Sequence, residues 1–89
     1  MPLISSFYGV LIYMYFMDNR QHHVPHIHAM YQGHEAVFAI DSAEVLDGKF
    51  PTRQTRLVQA WIEIRREELI ADWSLAVKGQ PVERVEPLR

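Results

Sequence analysis

The chain has 89 residues, 48% of them hydrophobic and 22% charged, which is enough apolar material for one globular domain and too little length for two. Nine Lys+Arg against eleven Asp+Glu leave a net charge of −2, so no global positive field draws in nucleic acid or an anionic membrane, and any such binding would be local. The absence of cysteine excludes disulfides, thiolate metal sites and cysteine nucleophiles, and makes a reducing cytoplasm the expected compartment.

From the front of the chain, the apolar run Phe7 to Met17 is about half the ~20 residues that cross a bilayer, and its aromatic and β-branched content predicts a strand. Tyr8, Val10, Ile12, Met14 and Phe16 would form one face, and Phe7, Gly9, Leu11, Tyr13 and Tyr15 the other. Both are apolar. A single helix covers one face, so the second predicts an interface, either in a homodimer or with a small protein partner.

Further on, Ile27, Ala29 and Tyr31 alternate with His26, His28 and Met30, the period of a half-buried strand. Gln32-Gly33 supplies a two-residue hairpin turn, which sets Tyr31 opposite His34, Ala29 opposite Ala36 and Ile27 opposite Phe38. The core face then holds Ile27, Ala29, Tyr31, Ala36, Phe38 and Ile40, with His34 on that side at the turn. His26, His28, Met30, Glu35 and Val37 take the opposite face. One further short strand fits between Asp41 and Asp47, ahead of the turn signal Asp47-Gly48.

Pro51-Thr52 opens a helix that runs toward Lys78 and is ended by Gly79 and Pro81. Leu57, Val58, Trp61, Ile62 and Ile64 make one apolar stripe; Leu69, Ile70, Trp73, Ala76 and Val77 make another, rotated by roughly 100° around Arg65-Arg66-Glu67-Glu68. That offset predicts a broken helix or two receiving surfaces. Trp61 and Trp73 sit centrally in their stripes and are expected in the core. The resulting fold class is α+β. A small antiparallel sheet of three or four strands, within about residues 7–46, packs on one long or broken C-terminal helix, within about 52–78. A short tail, 80–89, completes a single domain spanning 1–89.

All five histidines fall between His22 and His34. His26 and His28, two apart on a strand, point to one side about 7 Å apart at Cα, within reach of one ion. His22 or His23 from the loop, or Glu35 across the strands, would complete a site suited to zinc or nickel. Two other readings compete with metal binding. In one, the imidazoles are structural or partner contacts. In the other, His26 and His28 form the catalytic acid/base pair of a ribonuclease-like enzyme, with Lys49, Arg53 and Arg56 as phosphate or nucleic-acid contacts.

Phe7 to Phe16, His23-Val24-Pro25-His26-Ile27-His28-Ala29, Tyr31, Gly33, Ala36, Gly48-Lys49-Phe50-Pro51, Trp61, Glu68-Leu69 and Trp73 together resemble a bacterial domain-of-unknown-function family numbered forty-one sixty, over roughly residues 3 to 88. Val24 stands where many members have a second proline. His22 and His34 are not part of the resemblance, which singles out His23, His26 and His28 as the metal candidates. The family carries no established activity. Its members are often encoded beside another small domain in arrangements like toxin-antitoxin pairs, so the resemblance implies a partner more than a reaction.

Overall fold

A computed structural model describes residues 2–16 and 23–89. Its first element corrects the reading of the opening apolar run. Tyr8 and Gly9 adopt left-handed φ values of 49° and 81°, the geometry of a two-residue hairpin turn whose twist matches that of the flanking strands. The run is therefore cut into β1 (Leu3–Phe7) and β2 (Val10–Tyr13), not continued as one strand from Phe7. Phe7 lies opposite Val10, and Ser5 opposite Ile12. Cross-strand partners share a face, so Phe7 joins Val10, Ile12 and Met14 in the core. Of the second face expected for one long strand, Phe7 is thereby moved into the core, while Leu11 and Tyr13 keep to the outer side of β2.

β3 (His26–Tyr31) and β4 (His34–Ala39) form the second hairpin around Gln32-Gly33. Its register is the one expected from the loop length, with Tyr31 opposite His34, Ala29 opposite Ala36 and Ile27 opposite Phe38. His34 itself is exposed. β5 (Val45–Gly48) pairs antiparallel with β4 and completes a five-stranded meander in the order β1-β2-β3-β4-β5, where three or four strands were expected.

The helix α1 spans Thr52–Ala76, entered through the extended Pro51. Its break is real: Arg65 has the non-helical φ of −107° and ψ of 18°. Before it, Val58, Trp61 and Ile62 are buried; after it, Leu69 and Ala76. Trp73 is half-buried against the same core. The kink rotates the second half so that both stripes meet one continuous apolar cluster with Ile12, Ile27 and Phe38 of the sheet and Ile40 just past β4. Ile64 and Ile70, which the two stripes had included, face solvent instead. No helix among the described residues is long and apolar enough to cross a membrane.

The tail does more than trail off. Val85 donates its N–H to the Ile4 carbonyl at 2.8 Å, Trp61 Nε1 donates to the Glu86 carbonyl at 2.7 Å, and Val82, Val85 and Leu88 pack on the core. Beneath it, Asp72 is buried, and its Oδ1 accepts the Glu83 N–H at 3.0 Å. Burial pushes the Asp72 carboxyl above its ordinary range, aided by the nearby charges of Glu83 and Glu68 and opposed by that hydrogen bond. A carboxyl whose pKa is raised on folding favours the folded state below its unfolded pKa, and that contribution is lost as pH rises through the folded value. Asp72→Asn keeps an acceptor for Glu83 and removes the charge. The melting temperature of the variant relative to the parent is thus expected to increase from pH 4 to pH 7, as read by calorimetric scans; a constant difference would contradict it.

Candidate functional site

β3 places His28 directly opposite Tyr13 of β2, on the side away from the core, because Ile12 and Ala29 next to them point inward. From there a chain of rings crosses the end of the sheet. Tyr13 and Tyr15 lie 6.3 Å apart, Tyr15 and His28 4.2 Å, His28 and His26 5.3 Å, and His26 and Trp73 4.8 Å. The two imidazoles therefore link the outer side of β2 to the last turns of α1. His26 is only 1% exposed, and its Nδ1 lies 2.8 Å from the Val24 carbonyl. A carbonyl can only accept, so Nδ1 carries the proton. The neighbouring Pro25 carbonyl accepts the Ile40 N–H at 2.9 Å, which fixes the entry into β3. Pro25-His26 is thus a built corner: proline sets the backbone, and the imidazole ties it down and packs against Trp73.

The remaining candidates do not converge on this corner. His23 is exposed, as is His34 at the far end of the hairpin, and His22 lies outside the described residues. Among the described residues, no group of three or more His, Cys, Asp or Glu side chains comes together in a way that could hold a metal ion. Lys49, Arg53 and Arg56 are exposed around the start of α1, where Phe50 meets Phe38 at 5.8 Å and Tyr31 at 6.3 Å. Trp73, which contacts His26, sits near the other end of the same helix. At 1.5 Å per residue, the arginines stand roughly 25–30 Å from it along the axis. A phosphate held by these cations would not reach the imidazoles.

Two features of this region escape a reading of the sequence. Trp73 joins the histidines from 47 positions away in the chain, a proximity that no local period encodes, and Tyr15 reaches His28 from beyond the end of β2. Around the ring chain the outer side of β2 and β3 stays apolar: Leu11, opposite Met30, is 37% exposed. Phe16 and Val24, on the connection between these strands, are 47% and 46% exposed.

A family model described as Domain of unknown function (DUF4160) matches residues 9–74, well over half of the chain. The chain belongs to the DUF4160 family. In this DUF4160 protein the matched span opens at Gly9 in the first turn and closes just past Trp73, so it takes in every ring from Tyr13 to Trp73 and the Gly48-to-Pro51 segment. It is narrower than the stretch of roughly residues 3 to 88 expected from the resemblance, since all of β1 and the tail fall outside it. No curated protein and no solved structure compared with the chain matches it.

Proposed function

We propose that this DUF4160 protein is a small cytoplasmic interaction module, one component of a toxin-antitoxin type pair, that receives a small protein partner on the outer side of β2 and β3. The observation that carries this reading is the apolar outer side of β2 and β3, where Leu11 lies opposite Met30 and Tyr13 opposite His28, away from the inward-pointing Ile12 and Ala29, with Phe16 and Val24 exposed on the connection between these strands. Apolar and aromatic side chains with a few polar groups among them are the usual core of a protein interface. His28 supplies such a polar group, held in place by Tyr15 and His26. A nuclease would instead need an open histidine beside a basic cleft. Here His26 is closed in, and the candidate phosphate contacts Lys49, Arg53 and Arg56 lie at the other end of α1.

The test is titration calorimetry between the untagged protein and the products of the genes that flank its own. Binding is expected, and Leu11→Asp is expected to weaken it about ten-fold or more. Leu11 is 37% exposed, so the melting temperature of the variant is measured alongside to verify that it is folded. Absence of binding, or a Leu11→Asp variant that binds as the parent does, would reject the reading. RNA cleavage that disappears in His28→Ala would replace it with the ribonuclease alternative.

A further inference from the structure

Tyr8 stands at the tip of the first hairpin with a left-handed φ of 49° and is 61% exposed. A two-residue turn of this hand is ordinarily built from Asn, Asp or Gly, because a bulky side chain is strained there. Burial does not offset that strain. The other turn residue, Gly9, passes over the ring of Tyr31, since a Cβ added at Gly9 would lie 3.2 Å from Tyr31 Cε1. Tyr31 in turn is 6.3 Å from Phe50, which follows Lys49 and leads into α1. The first turn therefore comes down beside the start of the helix.

The charges carried by that segment are all of one sign. From Lys49 to Ala60 the chain has Lys49, Arg53 and Arg56 and no acidic residue, and all three side chains are exposed. Arg53 and Arg56, three apart on one helix face, repel each other. Elsewhere the arginines are neutralised: Arg65 pairs with Glu68, Arg66 with Glu63 and Arg89 with Glu86. Among the described residues no ion pair engages Lys49, Arg53 or Arg56. The acids on the adjoining strands, Glu35 and Asp47, stand opposite Met30 and Val37, on the side of the sheet that faces away from α1. A strained tyrosine and unneutralised cations each weaken the fold where they stand, and here they stand together.

We propose that this end of the molecule binds a single-stranded nucleic acid, with Lys49, Arg53 and Arg56 on its phosphates and a base stacked on Tyr8. Cationic side chains suit phosphate oxygens, and an exposed aromatic ring takes a base that a single strand leaves free and a duplex does not. A chain of net charge −2 exerts no long-range pull on a polyanion, so the attraction is local and is screened by salt. None of the residues proposed to meet the protein partner takes part, and the two readings stand or fall separately.

Fluorescence anisotropy of labelled oligouridylate and oligothymidylate, each of about twelve nucleotides, tests this at about 50 mM salt. At least one is expected to bind, the tighter of the two identifying the sugar, and a duplex of the same length should bind about ten-fold more weakly. Against the logarithm of salt concentration, the logarithm of the association constant should fall with a slope of about 2, roughly 0.7 for each of three phosphates. Replacing Arg53→Gln and Arg56→Gln together should lower that slope to about 0.7 and weaken binding about ten-fold or more. Tyr8→Asn should weaken binding about ten-fold and leave the slope unchanged. Neither variant removes a buried group. The first relieves like-charge repulsion on the helix and the second places a residue tolerant of left-handed φ in the turn, so melting temperatures at or above the parent's verify that the fold is intact. The proposal is overturned if neither oligomer binds, if the duplex binds as tightly as the single strands, or if either variant binds as the parent does.

Discussion

Trp61→Ala is expected to cost about 3–5 kcal/mol, a large part of the 5–15 kcal/mol that holds a domain of this kind together. Trp61 is fully buried at the point where three parts of the chain meet. Its ring lies 5.3 Å from that of Phe7 in β1, its own helix has its kink four residues on at Arg65, and its Nε1 holds the Glu86 carbonyl of the tail. Alanine leaves a cavity that the surrounding strands cannot collapse into without disturbing the sheet, and it leaves the carbonyl without its donor. Trp61→Phe separates the two contributions, since it keeps most of the ring packing and loses the hydrogen bond, for about 1–2 kcal/mol. Urea unfolding of the two variants and the parent measures this. A Trp61→Ala midpoint close to the parent's would show that the tail and β1 do not depend on the indole.

The second large effect is expected at Gly48. Gly33 and Gly48 share the same φ of 83°, so an alanine at either meets the same left-handed strain, about 1–2 kcal/mol. Their surroundings differ. At Gly33 an added Cβ meets open space, whereas at Gly48 it runs into the backbone carbonyl oxygen of Glu35 on β4. Backbone cannot rotate away as a flexible side chain can, so Gly48→Ala must displace β5 from β4. The expected costs are about 1 kcal/mol for Gly33→Ala and about 2–4 kcal/mol for Gly48→Ala. The difference between them isolates the close approach of the two strands. Equal costs in denaturant unfolding would remove that explanation. The same contact accounts for the glycine in the Gly48-Lys49-Phe50-Pro51 segment: the chain passes hard against β4 there, and Phe50 then turns under Phe38 to start α1.

Much of the architecture was legible in the residues because short-range rules govern it. A two-residue loop at Gln32-Gly33 leaves one register for the hairpin, and alternation then sends Ile27, Ala29, Ala36 and Phe38 inward together. The end of the helix near Gly79 follows from local backbone chemistry. The break near Arg65 follows from the angular offset between two apolar stripes, a quantity that can be measured on the sequence alone.

Elsewhere the tertiary structure decided. The run Phe7 to Phe16 has no polar alternation, so periodicity could not reveal that Tyr8-Gly9 reverses the chain. Once it does, Phe7 and Val10 share a face and the excess apolar face shrinks to the patch around Leu11 and Tyr13. The histidines are the sharper case. Their crowding between His22 and His34 is visible in the sequence, but whether an imidazole binds a ligand or packs depends on what closes over it. For His26 that is Trp73, brought 4.8 Å away by the fold of a helix 25 residues long. Composition and local period thus determined an α+β domain, its central hairpin and its kinked helix, because those depend on neighbours in sequence. The strand count, the tail against β1 and the closed environment of His26 depend on contacts between distant segments, which only the assembled core brings together.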